Sequence, residues 1–523
     1  MLGSLLLVAT GAGALGVAPA SAAPETATPL GQIVPAPAKA AAGGSAYEIT
    51  GKTRIRVDDS RDARRVGDYL ADVLRPSTGY ALPVTDARAG DGIRLELSRK
   101  DTGLGAEGYR LTSTSRSVTI VAREPAGLFH GVQTLRQQLP ARVEADSRQS
   151  GPWLVAGGTI EDSPRYGWRG AMLDVSRHFF TVGQVKRYID ELALYKVNKL
   201  HLHLSDDQGW RIAIDSWPKL ATYGGSTQVG GGAGGYYTKA QYKDIVRYAA
   251  SRYLEVVPEI DMPGHTNAAL ASYADLNCDG VAPPLYTGTS VGFSSLCAGK
   301  DITYDFVDDV VRELAALTPG KYLHIGGDEA HSTSHEDYVT FMDKVQPIVA
   351  EYGKTVVGWH QLTGATPAKG ALAQYWGLDG TSAAEKAQVA EAAKNGTGLI
   401  ISPADRTYLD MKYTKDEPLG LSWAGYVEVQ RSYDWDPANY LPGAPSSAVK
   451  GVEAPLWSET LSTSAQLDHM AFPRLPGVAE LGWSPAATHD WDAYKVRLAA
   501  QAPRWDALGI GYYKSPQVPW PAS

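Results

Sequence analysis

From about Tyr166 onward, short runs of apolar residues alternate with stretches of helical periodicity. Two of the helical stretches begin with a capping box, Thr181 with Gln184 and Thr238 with Gln241, and apolar residues follow each at helical spacing. Short buried strands that alternate with helices over about 350 residues predict an α/β fold, a (β/α)8 TIM barrel. The eight apolar runs are 171–175, 200–204, 254–260, 322–325, 355–359, 372–376, 399–402 and 452–457.

The preceding part of the chain has a different pattern. Strand-like runs lie at 47–57, 93–98 and 109–121, and helical patterns lie at 61–74 and 128–139. This mixture predicts a small accessory α/β (α+β) domain over residues 45–163, followed by the barrel over 164–523. No cluster of chemically active residues stands out in the smaller domain.

The first 44 residues contain neither pattern. Residues 1–23 carry no charged side chain and end in Ala20-Ser21-Ala22, as a secretory signal peptide does, although the usual basic start is missing. A membrane anchor is the alternative, but the run is rich in Gly and Ala rather than in Leu and Ile. Residues 24–44 are rich in Pro and Ala, which predicts a linker. We expect a secreted protein with no membrane partner.

The chain has two cysteines, Cys278 and Cys297. In an exported protein an even count favours a disulfide, here closing a surface segment rich in Gly, Pro, Ser and Thr. Two cysteines this far apart do not suggest a metal site.

The composition of the chain limits the classes of protein to which it can belong. With 523 residues, 44% of them hydrophobic, the chain is long enough for two or three folded domains. The net charge is 49 − 57 = −8, which argues against a nucleic-acid partner, because phosphate binding needs surplus Lys and Arg. The 13 Trp and 28 Tyr against 7 Phe are typical of sugar-binding clefts, with a large core as the alternative explanation.

Polar residues follow the apolar runs at the ends where a barrel enzyme carries its active site. Asp328 and Glu329, behind Gly326-Gly327, offer two carboxyls in one turn, as the cleavage of a glycosidic bond requires a carboxylic acid. Arg177, Asp410 and Glu459 could bind sugar hydroxyls. Four tryptophans offer flat faces for a sugar ring: Trp359, Trp376, Trp423 and Trp457.

Five segments together resemble glycoside hydrolase family 20, over about residues 40–510: SRHFF, LHLSDDQGWR, EIDMPGH, HIGGDEA and LWSET. The chain is similar to secreted bacterial β-N-acetylhexosaminidases of that family, and residues 45–163 resemble the accessory domain that precedes their barrel. The resemblance implies an exo-acting retaining enzyme that removes terminal non-reducing β-linked GlcNAc or GalNAc from oligosaccharides such as chitin fragments. It implies neither a cofactor nor a metal.

The resemblance also implies roles at the reacting bond. Glu329 would be the general acid/base, and the nucleophile would be the acetamido oxygen of the substrate, which closes an oxazolinium ring; this is an exception to the two-carboxylate scheme. Asp328 would orient the acetamido N–H, and Tyr408 would donate a hydrogen bond to the acetamido oxygen. Trp359, Trp376 and Trp457 would wall the acetamido methyl pocket.

Further roles are implied around the sugar. Arg177 would bind ring hydroxyls, Asp410 and Glu459 the far hydroxyls, and Trp423 would lie along the sugar or leaving group. Asp206 and His265 would pair to support Glu329 and hold its pKa up, with Asp261 a further supporting residue.

Two other classes of protein stay open. His201 and His203 form an HxH pair which, with His265 and His324, could bind a metal, as in metal-dependent barrel hydrolases. A non-catalytic sugar-binding barrel would keep the tryptophans without the acid. In a conventional retaining enzyme Asp328 would be a covalent nucleophile, but adjacent residues could hardly flank one bond from opposite faces.

Overall fold

A computed structural model of the chain describes residues 26–87 and 89–521. The predicted signal peptide, residues 1–23, lies outside the described residues, so export of the protein stays a prediction. Within residues 26–87 and 89–521, no helix is both long and apolar enough to cross a membrane.

The smaller domain is built on a seven-stranded sheet with the order β1-β9-β6-β7-β5-β3-β4, and β2 pairs separately with β8. The strands are β1 Lys39–Ala42, β2 Tyr47–Ile49, β3 Ile55–Val57, β4 Val84–Asp86, β5 Gly92–Leu97, β6 Tyr109–Ser113, β7 Ser117–Ala122, β8 Trp153–Val155 and β9 Gly158–Asp162. Two helices pack on the sheet, α1 Arg61–Thr78, capped by the Ser60 hydroxyl, and α2 Pro125–Gln138, which begins with a proline.

Part of the predicted linker is folded. Strand β1, Lys39–Ala42, pairs antiparallel with β9, and the side chain of Val34 is fully buried. The backbone N–H of Ala36 donates to Oε2 of Glu480 in the larger domain. The expectation of a linker over residues 24–44 was therefore wrong for residues 34–42, because their few apolar side chains find a core that Pro- and Ala-rich composition does not reveal.

The larger domain is a closed barrel of eight parallel strands, as the sequence pattern predicts. The barrel strands are β10 Trp168–Asp174, β11 Lys199–His203, β14 Glu255–Glu259, β15 Tyr322–His324, β16 Thr355–Trp359, β17 Leu372–Tyr375, β18 Gly398–Ile401 and β19 Val449–Leu456. After β11 comes a short hairpin of two strands, β12 Ser205–Asp206 and β13 Gly209–Trp210. Pairing of β10 with β19 closes the barrel.

Helices connect the barrel strands, and the two predicted capping boxes begin α3 and α5. The long connection between β18 and β19 holds the short helices α10 and α11 and two 3-10 turns, Pro437–Asn439 and Ser446–Ala448, among its loops. The helices are α3 Val182–Leu194, α4 Lys219–Thr222, α5 Lys239–Ser251, α6 Asn267–Ser272, α7 Asp301–Leu317, α8 His335–Glu351, α9 Ala383–Lys394, α10 Ala404–Thr407, α11 Val429–Tyr433, α12 Ser464–Ala471, α13 Arg474–Trp483, α14 Trp491–Ala499 and α15 Ala502–Leu508.

A buried ion pair joins the two domains beneath the barrel. Glu107 of the smaller domain accepts two hydrogen bonds from the Arg169 guanidinium on β10, at 2.6 and 3.1 Å. Asn198 donates to the same carboxylate. These contacts lie at the N-terminal end of the barrel strands, so the smaller domain supports the face opposite to the predicted site.

Candidate active site

A cavity of about 340 Å³ opens at the C-terminal ends of the barrel strands. It is lined by residues that follow β10, β14, β15, β17, β18 and β19, so the fold gathers side chains distant in sequence. The lining residues are Arg177, His265, Thr289, Val291, Asp328, Glu329, Trp376, Tyr408, Asp410, Leu421, Trp423, Trp457 and Glu459.

The turn after β15 aims Asp328 and Glu329 into this cavity. Gly326 and Gly327 both have positive φ, and a Cβ on Gly326 would lie 1.7 Å from Oδ1 of Asp261, so only glycine fits there. Glu329 itself has φ of 46°, a left-handed conformation that is strained for a residue with a side chain. Such strain is often found at functional sites, where the surrounding structure holds it.

Glu329 lies beside an imidazole. Nε2 of His265 is 3.2 Å from Oε2 of Glu329, and Nδ1 of His265 is 3.1 Å from Oδ1 of Asp206. Although burial opposes it, the proximity of His265 lowers the pKa of Glu329, whereas the pKa of His265 is raised well above its usual value by Asp206 and Asp328. The expectation that the pair holds the pKa of Glu329 up was wrong, because the flanking carboxylates keep His265 charged.

Asp328 is buried and its Oδ1 has no hydrogen-bond partner within the described chain. Burial raises its pKa to about 6, against the opposing effect of His265. Burial and the charge of Asp328 also raise the pKa of Asp261 well above its usual value. Oδ1 of Asp261 accepts a hydrogen bond from the backbone N–H of Gly327. An unpartnered carboxylate oxygen that faces a cavity is suited to accept a ligand N–H.

Aromatic rings form one wall of the cavity. The ring of Trp423 packs edge-on against Trp376 and Tyr408, with centroids 5.9 and 5.8 Å apart. Tyr408 lies 6.1 Å from Trp457 by the same measure. Trp359 does not line this cavity but lies fully buried behind Trp457, at a centroid distance of 5.7 Å. The rings give a small apolar recess beside the carboxyls.

Polar groups without partners lie at another part of the cavity. Both carboxylate oxygens of Asp410, Oε2 of Glu459 and Nε of Arg177 are buried, and none has a hydrogen-bond partner in the part of the chain that the structure describes. Burial raises the pKa of both carboxyls, and the pKa of Asp410 is raised further by Glu459. Leaving buried polar groups unpaired costs roughly 1–3 kcal/mol each, which binding of a polyhydroxy ligand would recover.

Sequence patterns did not reveal Thr289 and Val291. Both belong to the segment between Cys278 and Cys297, whose disulfide is present with a Cα–Cα distance of 4.9 Å, as predicted. Ser294 anchors the segment, because its hydroxyl donates to Asp207 and accepts from the Thr266 backbone N–H. The predicted disulfide was the one available signal that this loop has a fixed position.

The HxH histidines point into the barrel interior. Each ring nitrogen of His201 and of His203 faces a carboxylate, so ion pairs satisfy these side chains. Potential ligand atoms of His201, Glu259 and His324 do lie within 4.8 Å of one another. The arrangement is that of an interior charge network, and the four histidines of the metal alternative do not meet at one point.

The predicted residues thus divide into two layers. The cavity wall holds Arg177, His265, Asp328, Glu329, Trp376, Tyr408, Asp410, Trp423, Trp457 and Glu459. Asp206, Asp261 and Trp359 lie behind that wall and contact it.

Comparisons with known proteins agree with this geometry. The family model "Glycosyl hydrolase family 20, catalytic domain" matches residues 166–486, and "Glycosyl hydrolase family 20, domain 2" matches residues 31–163. The chain is 43% identical over 480 residues to a β-N-acetylhexosaminidase of Cellulomonas fimi, covering 91% of this chain and 95% of that protein.

Solved structures are also similar. The family 20 β-N-acetylhexosaminidase of Streptomyces coelicolor A3(2) is 77% identical, with a TM-score of 0.94, over 95% of this chain and 100% of that one. A mutant β-hexosaminidase of Streptomyces plicatus, solved in complex with its product GlcNAc, is 78% identical, with a TM-score of 0.94, over 95% of this chain and 99% of that one.

Proposed function

The chain belongs to glycosyl hydrolase family 20, and we propose that it is an exo-acting, retaining β-N-acetylhexosaminidase that uses the substrate's own acetamido group as nucleophile. It is a glycoside hydrolase that cleaves β-N-acetylhexosaminides. The proposal includes substrates that end in GlcNAc, which is the product bound to the similar Streptomyces plicatus enzyme, or in GalNAc.

The observation that carries the proposal is the placement of Asp328 and Glu329 on one turn facing one cavity. A retaining enzyme with a protein nucleophile needs carboxyls on opposite faces of the scissile bond, about 5 Å apart. Consecutive residues on one turn do not provide that arrangement. The unpartnered Asp328 and the aromatic recess beside it instead suit an amide N–H and its methyl group.

In the first step the acetamido oxygen attacks the anomeric carbon as the bond to the leaving oxygen breaks. Glu329 gives its proton to that oxygen, and Asp328 accepts the amide N–H and balances the positive charge of the oxazolinium ring. In the second step Glu329 removes a proton from water, which attacks the anomeric carbon and reopens the ring. Two displacements at one carbon retain its configuration.

The acid that gives its proton in the first step lies beside an imidazole in the free enzyme. Although burial opposes it, His265 lowers the pKa of Glu329, which favours the carboxylate before substrate binds. A sugar that covers Glu329 removes water from its carboxylate, and desolvation favours the neutral acid. Binding would therefore move the proton toward the carboxyl that must deliver it.

Exo-action follows from the unpaired polar groups. Asp410, Glu459 and Arg177 line the cavity with buried polar atoms that have no hydrogen-bond partner among the described residues, and these atoms can bind hydroxyls of a terminal sugar. A sugar chain that continued beyond this point would replace those hydroxyls and leave the polar atoms without hydrogen bonds.

Product analysis tests the proposal. NMR of the first product from a β-GlcNAc glycoside should show the β anomer before mutarotation, and chitotriose should release only single GlcNAc units from its non-reducing end. An initial α anomer would exclude retention, and release of an internal disaccharide would exclude exo-action. Loss of activity in EDTA would favour the metal-dependent alternative instead.

A further inference from the structure

Acids and imidazoles alternate along a line through the barrel interior. From the cavity inward, His203 Nε2 donates to Asp206 at 2.6 Å, and His203 Nδ1 lies 2.5 Å from Oε2 of Glu259. His201 continues the line, with Nε2 2.9 Å from Glu259 and Nδ1 2.8 Å from Glu453. The complete series is Glu329, His265, Asp206, His203, Glu259, His201 and Glu453.

Geometry alone assigns the charge of two imidazoles in this series. A neutral imidazole has one donor nitrogen and one acceptor nitrogen, and a carboxylate only accepts. Both nitrogens of His201 and of His203 lie at hydrogen-bond distance from carboxylate oxygens, so these two rings are satisfied only as imidazolium ions. Nε2 of His265 lies 3.2 Å from Oε2 of Glu329 but outside hydrogen-bond geometry. All members except Glu329 are buried, and buried charges are stable only when paired in this way.

Glu259 joins this series to the aromatic wall. Its Oε2 faces His201 and His203, while its Oε1 accepts a hydrogen bond from Nε1 of Trp359 at 2.9 Å. Trp359 in turn packs against Trp457, which lines the cavity. The Glu259 carboxylate therefore contacts both His203, in the series that leads to Glu329, and Trp359, which lies behind the aromatic recess.

We propose that His203 and Glu259 are positioning residues for the reaction: they hold Asp206 as a fixed anion against His265 and Arg177, and Glu259 also fixes Trp359 behind the acetamido recess. Neither side chain touches the cavity, so both act through other residues. This inference rests on the proposed function, because it assigns the acid/base role to Glu329. It adds that the residues which position Glu329 extend from the cavity into the barrel interior.

The charges around the two residues support this assignment. His203 faces Asp206 from the β12 side and Glu259 from β14, with the edge of Trp457 against its ring. Glu259 faces His201 and His203 on β11, His324 on β15 and Trp359 on β16. Asp206 receives Arg177 from the loop after β10, at 2.9 Å, and His265 from the loop after β14.

The same surroundings shift the pKa values in the expected directions. Against the effect of burial, the carboxylates raise the pKa of His203 well above its usual value and that of His201 to about 9. Arg177 and His265 depress the pKa of Asp206, and the three histidines depress that of Glu259. These directions agree with the imidazolium form that the hydrogen-bond geometry requires of His201 and His203.

The test compares His203→Gln with a matched control, His130→Gln. His130 is equally buried and lies 3.3 Å from the Glu107 carboxylate, but it is remote from the cavity. For His203→Gln we expect kcat/KM to fall by about tenfold or more with poor leaving groups and less with dinitrophenyl β-GlcNAc, and the pH profile to shift. For His130→Gln we expect lower thermal stability with an unchanged profile.

Trp359→Phe tests the second contact of Glu259 and keeps an aromatic ring at that position. Removing the indole N–H should change how kcat/KM responds to fluorination of the substrate acetamido group, with little effect on the leaving-group dependence. An unchanged response in this variant, or a stable His203→Gln enzyme with the wild-type pH profile, would overturn the proposal.

Wild-type enzyme gives a readout that does not depend on the variants. With ¹⁵N-labelled histidine, His201 and His203 should remain doubly protonated at neutral pH, below the pKa of about 9 for His201. A neutral imidazole at either position would contradict the proposal even if His203→Gln does not fold. Failure of the proposed function is a separate result, because it would appear in wild-type enzyme as an initial α anomer, as release of an internal disaccharide or as no cleavage of β-GlcNAc substrates.

Discussion

The imidazole of His265 lies between two carboxylates, 3.1 Å from Oδ1 of Asp206 and 3.2 Å from Oε2 of Glu329. Since both ring nitrogens face acids, the imidazole carries the positive charge that lowers the pKa of Glu329. The acid/base residue therefore lies beside a positive charge that stabilises its carboxylate form.

Glu329→Gln removes the group that protonates the leaving oxygen. We expect kcat/KM to fall by roughly 10²- to 10⁴-fold with poor leaving groups such as chitobiose, and far less with dinitrophenyl β-GlcNAc, which needs no acid. Steady-state kinetics over a series of aryl leaving groups measures this difference. Equal losses across the series would contradict the acid role.

Asp328→Asn removes the charge that balances the oxazolinium ring. We expect kcat to fall by about 10²- to 10³-fold for good and poor leaving groups alike, because ring closure precedes or accompanies every departure. The comparison with Glu329→Gln on the same substrates separates the two roles. A leaving-group dependence like that of Glu329→Gln would argue that Asp328 acts on the leaving oxygen instead.

The pH profile should report Asp328. Its pKa is raised to about 6 and its charged form is the active one, so kcat/KM should decline as pH falls through about 6 and should be regained above it. In Asp328→Asn the residual activity should lack this decline. An acid limb that persists unchanged in the variant would assign it to another group.

The disulfide should matter for binding more than for chemistry. It holds the segment that brings Thr289 and Val291 to the cavity. The double variant Cys278→Ser with Cys297→Ser should raise KM several-fold with little change in kcat, and should cost about 3 kcal/mol of loop-closure stabilisation. Kinetics with chitobiose and with an aryl glycoside, beside a urea titration, measure both effects. An unchanged KM would mean that Ser294 and its partners hold the loop alone.

The domain contact can be tested by Glu107→Ala. Arg169 is buried and would lose its carboxylate partner, at a cost of about 3 kcal/mol in the free energy of unfolding. Asp86→Ala is the control, since its partner Arg64 is exposed and such surface pairs contribute about 0.5 kcal/mol. Urea unfolding of both variants measures the difference. Equal stabilities would indicate that the domain contact is held by other residues.

The barrel could be predicted because its strands are buried on both faces and read as short apolar runs between helical patterns. All eight runs fall on strands. The capping boxes at Thr181 and Thr238 also mark true helix starts, because caps depend on local sequence only. Local sequence patterns did not predict the folded structure of residues 34–42, because strand β1 pairs with a strand more than a hundred residues away.

At the site, the sequence predicts which side chains line the cavity, but it does not predict their distances from one another or the shifts of their pKa values. Polar residues after strands meet at one face because parallel strands share their direction, which is why Arg177, Asp328 and Glu459 could be predicted together. The lowered pKa of Glu329 could not be predicted, since it depends on how close His265 comes. The position of Val291 at the cavity could not be predicted either, because no sequence periodicity determines the path of a long loop.

Hydrolysis of a chromogenic β-GlcNAc glycoside beside the matching β-glucoside, with and without GlcNAc-thiazoline, tests the acetamido group as nucleophile most directly. The account predicts cleavage of only the acetamido sugar, blocked by the thiazoline because that compound resembles the oxazolinium ring. Comparable cleavage of the plain glucoside, insensitive to the thiazoline, would require a nucleophile from the protein and would contradict the roles of Asp328 and Tyr408.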